Sequence, residues 1–256
     1  MTLAAPSQHR FRRLVAAELL KLRRRRGLVA AALLLTVAPM IVAYIVLAGL
    51  HAANPARYGP AGGIDNLRGT LRLLSQFGAV AAAVIGVTAG GGDLAAGVFR
   101  ELVVTGRPRL ALFTARIPAG LGLLLALIAA AVAIAAAASV ALAGAGQAPG
   151  ATLLLEYAGW VALVITLAFL LALGLSSLLD SRALSIGLLL AWQLAVAPLL
   201  LQTGRVDPML LAAALKRIEP APATASISLE TAILLIAAWT IAPLVAGAWR
   251  TQSRDA

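Results

Sequence analysis

Cysteine is absent from this sequence and histidine nearly so. Without Cys there are no disulfides, no thiolate metal sites and no thiol nucleophiles. The two histidines, His9 and His51, lie outside the apolar runs, which excludes metal cages and proton relays built on His. Charge is scarce as well. Only 12% of the 256 residues are charged and 61% are hydrophobic, with a mean hydropathy of +0.95. A soluble domain is about half apolar and about a quarter charged. So few polar side chains cannot coat a globule in water, which rules out an ordinary cytosolic enzyme, a disordered chain and a fibrous repeat.

The charge that is present is one-sided. The net charge is +11, carried by 19 Arg and two Lys, Lys21 and Lys216. A basic balance of this size suits nucleic acid in a soluble protein. In so apolar a chain it marks the cytoplasmic face of a membrane protein, and no nucleic-acid partner is expected.

A helix needs about 20 apolar residues to cross a hydrocarbon core of about 30 Å. Six stretches qualify, at about 28–50, 71–90, 117–143, 153–179, 183–201 and 229–249. None carries Arg or Lys in its middle. The third and fourth exceed the needed length, so tilt or emergence past the headgroups is expected. The second is the weakest, with Ser75, Gln76 and Thr88 inside it and Arg68 and Arg72 at its start. The first apolar run is too long for a cleaved signal peptide, and no clean A-x-A site follows it. It is expected to remain in the mature protein. The sequence thus predicts an all-α membrane protein with six transmembrane helices. Fifteen of the 21 Lys and Arg fall on the side that holds both termini, so both termini are expected in the cytoplasm.

Three segments outside the spans carry pattern. Residues 10–26 are basic and amphipathic, with Phe11, Leu14, Val15 and Leu22 on one face. Such a helix rests among anionic headgroups. Glu18 falls inside its apolar arc and needs a cationic partner. Lys21 or Arg25 is one choice, and the loop between spans two and three is the other. In that loop Asp93 follows a glycine pair as an N-cap residue. Leu94, Val98 and Leu102 recur at i, i+4 and i+8, with Phe99 and Val103 beside them, while Arg100 and Glu101 point away. Gly106 and Pro108 stop the pattern. The segment at about 93–105 therefore predicts a short helix, either a packed connector or a knob for a cytoplasmic partner. In the last outer loop Asp207-Pro208 starts a short helix that Pro220 and Pro222 end. It fits an element dipping into the outer leaflet and fits a surface helix equally.

Much chemistry is excluded. Neither lysine follows a glycine, so there is no G-x-x-x-x-G-K-[ST] phosphate loop and no ATP site of that kind. G-x-S-x-G and H-E-x-x-H are absent. Glu156, Asp180 and Glu230 lie near span ends, which leaves no midplane carboxylates for intramembrane proteolysis or ion coupling. Gly86-x-x-x-Gly90 permits close helix packing. Pro198 predicts a kink in the fifth span, and Gln193 beside it is expected to bond another helix.

Three features together resemble the ABC-2-type membrane permeases, the membrane subunits of one class of ATP-binding-cassette exporters. Glu18-Leu-Leu-Lys21-Leu-Arg23-Arg24 before span one looks like that family's E-x-x-K-x-(R/K) segment. Asp93-x-x-x-Gly97, followed by Arg107-Pro-Arg109-x-x-x-Phe113-x-x-Arg116, is similar to its E-x-x-x-G-T … R-x-x-x-x-x-K loop. Asp93, Val98 and Arg116 depart from the usual Glu, Thr and Lys. The third feature is the six-span layout with an enlarged last outer loop.

The resemblance implies an elbow helix at about 10–26, a coupling helix at about 93–105 and a re-entrant outer element at about 208–228. It implies a partner-binding set of Glu18, Lys21, Asp93, Leu94, Gly97, Val98, Phe99, Arg100, Glu101, Leu102, Arg107, Arg109 and Arg116. The implied partners are an ATPase subunit that binds ATP and Mg, a second permease copy, membrane lipid, and a hydrophobic or amphipathic export substrate. The chain itself would hold no cofactor and catalyse no reaction. The implied place is a bacterial cytoplasmic membrane. A polysaccharide export channel is disfavoured by an aromatic content of only 5%. A membrane-embedded enzyme or ion-coupled carrier is disfavoured by the lack of midplane acids or His. A plain membrane anchor would not need a dedicated docking helix.

Overall fold

The computed structural model describes residues 8–95, 108–144, 146–179, 181–203, 210–220 and 227–253, and among them there is no strand. The helices are α1 (Gln8–Arg24), α2 (Arg26–Ala53), α3 (Ile64–Ala95), α4 (Arg109–Ala141), α5 (Ala151–Leu179), α6 (Arg182–Ala191), α7 (Ala197–Thr203), α8 (Leu211–Arg217) and α9 (Leu229–Ser253). A single π turn, Trp192–Val196, joins α6 to α7.

Five helices, α2, α3, α4, α5 and α9, are long and apolar enough to cross a membrane. Large apolar side chains stand bare on their outer faces: Leu34, Ile45, Leu155, Leu234, Val245 and Trp249 are all more than 60% exposed. Water would penalise such a surface, whereas hydrocarbon solvates it. The protein is a multi-pass helical membrane protein.

The expected fifth crossing is not one regular helix. The apolar path from Arg182 to Thr203 is α6, the π turn and α7. Pro198 explains the break, because a proline has no N–H to give to the helix ladder. The turn widens just before it, and the Ala197 N–H reaches the Trp192 carbonyl in the i→i−5 pattern of a π bulge. Ser181 starts α6 by accepting from the Leu184 N–H at 3.3 Å, and Ser228 starts α9 by accepting from the Thr231 N–H at 3.2 Å, both as N-caps.

α3 lies at the centre. It is the most buried of the long helices and packs on α2, α4, α5 and α6. Leu67, Leu71, Leu74 and Ile85 are fully enclosed, along with Leu124 of α4 and Tyr157, Ile165, Phe169 and Leu173 of α5. The α3–α5 crossing is set by glycine. A Cβ on Gly86 would lie 2.7 Å from the Phe169 carbonyl oxygen, and one on Gly90 would lie 2.7 Å from that of Leu173. Gly86-x-x-x-Gly90 therefore lets backbone meet backbone, which is how helices associate where burial gives no drive. A second such crossing joins α5 to α9, where a Cβ on Gly247 would lie 2.6 Å from the Gly174 carbonyl oxygen.

α3 also starts seven residues before the expected span. Gly63 takes φ +93°, and Asn66 Nδ2 lies within hydrogen-bonding reach of the Pro60, Ala61 and Gly62 carbonyls. This turn is sewn to the end of α4 by Gly62 N–H to Leu142 and Gly63 N–H to Ser139, each at 2.8 Å.

Candidate functional site

The sequence points to the arginine-rich end of the bundle, where α1, the end of α3 and the start of α4 meet. α1 buries Leu22 in the main core and packs chiefly on α4, with lesser contact to α2 and α3. Glu18 pairs with Lys21 at 2.6 Å, one of the two partners expected on its own helix. An acid in the apolar arc is thereby matched within one turn.

Asp93 does not begin a new helix. Its backbone, with that of Leu94, continues α3 through Gly91 and Gly92 as far as Ala95. Gly91 is a helix-packing position within that continuous helix. A Cβ on Gly91 would lie 2.8 Å from Ser176 Oγ of α5. Gly97, Val98, Phe99, Arg100, Glu101, Leu102 and Arg107 lie outside the described residues.

Arg109 opens α4 and donates from Nη1 to the Gln252 carbonyl at 2.8 Å, tying α4 to the last turns of α9. Arg116, expected in the docking set, is only 1% exposed. It sits two turns inside α4 and donates from Nη1 to the Gly90 carbonyl at 3.0 Å. A cation at that depth holds α4 to α3 and offers nothing to a partner's surface. Below it, Ser176 Oγ donates to the Val87 carbonyl at 3.0 Å, and Arg182 Nη2 donates to Thr88 Oγ1 at 3.3 Å. Polar side chains from α4, α5 and α6 thus converge on one stretch of α3, residues 87–92.

The opposite end has polar ties of its own. The Tyr44 hydroxyl joins α2 to α3 through Thr70 Oγ1 at 3.1 Å and to α4 through Ser139 Oγ. α8 is clamped from two sides. Trp160 Nε1 of α5 donates to the Leu215 carbonyl at 3.1 Å, and Arg72 of α3 pairs with Glu219 just after α8. Ala213 and Ala214 are buried against α9, in a cluster that includes Leu210 and Ile227. Trp192 of the π turn stacks near Trp239 of α9, with ring centroids 5.7 Å apart. Sequence reasoning missed these ties because the partners are far apart in the chain, and no local spacing pairs Arg72 with Glu219 or Trp160 with Leu215. Gln193, expected to bond another helix, makes no such bond among the described residues.

No protein-family model and no curated protein matches the sequence.

Proposed function

We propose that the protein is the permease subunit of an exporter driven by a separate ATPase, with six crossings and both termini in the cytoplasm. One observation carries this reading. The central helix α3 runs without a break to Ala95 and leads directly into the segment 96–107, from which α4 returns. α3 touches α2, α4, α5 and α6. A push on that segment reaches the middle of the bundle through one stiff element, because packed cores shift between discrete arrangements and do not flex continuously.

The power source is external in this reading, since the chain has neither a phosphate loop nor midplane ionisable groups. ATP binding closes the partner's subunits, displaces the 93–105 segment and reorients the spans around a path shared with a second copy. Leu94, Val98, Phe99 and Leu102 supply the apolar contact. Arg100, Glu101, Arg107 and Arg109 supply polar registry. Arg116 is reassigned from contact to support. α1 is the elbow helix. The composite α6–π–α7 path is the fifth crossing, and α8 is the short outer element folded back on α5 and α9. The cargo is a hydrophobic or amphipathic molecule.

The test is co-purification with a candidate ATPase subunit, and an ATPase gene adjacent to the gene for this chain would be the first candidate. Glu101→Arg is expected to weaken retention of the ATPase while the permease keeps its melting temperature. Undiminished retention by Glu101→Arg and by Phe99→Asp would overturn the docking assignment. Vesicles containing both subunits should transport only with ATP, and transport by the permease alone would sink the whole reading.

A further inference from the structure

Three guanidinium groups from three separate elements meet the same turn of α3. Arg116 of α4 reaches the Gly90 carbonyl at 3.0 Å, and Arg182, the first residue of α6, reaches Thr88 Oγ1 at 3.3 Å. Arg25, between α1 and α2, lies beside Gly92, where a Cβ would stand 3.4 Å from its Nη2 and meet nothing else so near. A Cβ on Gly91 would stand 3.3 Å from Arg182 Cγ. The glycines leave room for cations to approach the helix.

Arg116 is enclosed where it holds α3, whereas Arg25 and Arg182 are only half-buried. Neither Arg25 nor Arg182 pairs with a carboxylate among the described residues; the ion pairs there join Lys21 to Glu18, Arg68 to Asp65 and Arg72 to Glu219. The Arg182 Nε–H is buried and has no hydrogen-bond partner among the described residues. A buried guanidinium N–H left unmatched costs free energy, and an anion placed there would recover it.

The level in the fold identifies the anion. Arg25 immediately precedes the apolar run of α2, Arg182 opens the apolar α6, and Gly91–Gly92 follow the apolar run of α3. All three mark the boundary where hydrocarbon ends. Arg25 and Arg182 are half-buried, within reach of that boundary yet partly shielded from water. Guanidinium forks match phosphate oxygens with paired, charge-assisted bonds. We propose that Arg25 and Arg182, across the Gly91–Gly92 face of α3, bind the headgroup phosphate of an anionic phospholipid. The lipid would join the α1–α2 junction to α6, the two elements flanking the end of α3. This inference rests on the membrane-spanning reading and not on transport or on the ATPase.

The experiment reads lipid directly. The full chain is reconstituted in discs of phosphatidylcholine with or without phosphatidylglycerol. Retained lipid is then counted by native mass spectrometry, alongside the melting temperature. Wild type should retain phosphatidylglycerol selectively and melt higher with it. Arg25→Gln/Arg182→Gln should lose that retention by about tenfold or more, equivalent to about 1.4 kcal/mol. Arg57→Gln, which removes an exposed charge from the turn between α2 and α3, should change it less than about twofold. Arg25→Lys/Arg182→Lys keeps charge without the fork and guards against misfolding of the neutral pair; it should fold and bind weakly. Equal retention by wild type and both Arg25/Arg182 variants overturns the proposal. So does equal stabilisation by millimolar inorganic phosphate in phosphatidylcholine discs, which would make the ligand a free anion. Failure of ATPase binding would leave all these readouts unchanged, so the two proposals fail separately.

Discussion

The glycine crossing between α3 and α5 makes a quantitative claim about one methyl group. In Gly86→Ala the new Cβ would lie 2.7 Å from the Phe169 carbonyl oxygen and 2.9 Å from Ala172 Cβ. An ordinary carbon–oxygen contact is about 3.3–3.6 Å, so the two backbones must separate by roughly 0.6 Å or more. A gap of that size forfeits a quarter to a half of each dispersion contact, and each contact is worth about 0.1–0.2 kcal/mol. Over about 20 atom pairs the loss is about 0.5–2 kcal/mol. With the residual strain of overpacking, the expected cost is about 1–3 kcal/mol. Gly69→Ala is the control: it is on the same helix with nothing within 4 Å of its Cβ, and alanine's better helix propensity makes it neutral or stabilising by up to about 1 kcal/mol. Unfolding by SDS in mixed micelles, followed by tryptophan fluorescence, gives both values. If the two variants shift the midpoint alike, in either direction, backbone contact is not what joins α3 to α5.

Two further outcomes follow from the opposite end of the bundle. The Arg72–Glu219 pair is lopsided, since the Glu219 side chain is 8% exposed and that of Arg72 is 50% exposed. Arg72→Met strands a buried carboxylate, whereas Glu219→Gln leaves a cation that water can reach. The first should loosen α8 more than the second in amide exchange at Leu211–Arg217, and the reverse order would refute the burial argument. The Tyr157 hydroxyl is buried beside Arg68 and makes no hydrogen bond of good geometry among the described residues, so Tyr157→Phe should be neutral or slightly stabilising. A loss above about 1 kcal/mol in the same SDS assay would show that the hydroxyl is bonded after all.

The five long apolar helices were legible because hydrocarbon thickness fixes a length and apolar runs report it. The apolar runs at 28–50, 153–179 and 229–249 fall within α2, α5 and α9. α1 was legible from its amphipathic period and its basic end. Arg116 was not. Counting loop cations assumes that charge marks the surface, and this cation is buried because the Gly90 carbonyl faces it across the α3–α4 contact. The early start of α3 was hidden for a related reason. Arg68 and Arg72 lower the local hydropathy, but their partners, Asp65 and Glu219, allow the helix to carry them. Glu219 is 147 positions from Arg72, beyond any local pattern. The break at Trp192–Val196 was partly legible, because Pro198 announces a fault without saying whether it will be a bend or a widened turn.

The two glycine-lined crossings share α5, with Gly86 and Gly90 on one side of it and Gly247 against Gly174 on the other. At these places backbone meets backbone with only small side chains beside it, Ala172, Ser176 and Ser177, so there is little to swing aside or re-seat. Three long rods are keyed together like boards glued along their edges, and they can travel only as a single plank. Any change of shape in this molecule must happen around that plank, where α2, α4 and the jointed α6–α7 arm meet their neighbours through side chains that can give way.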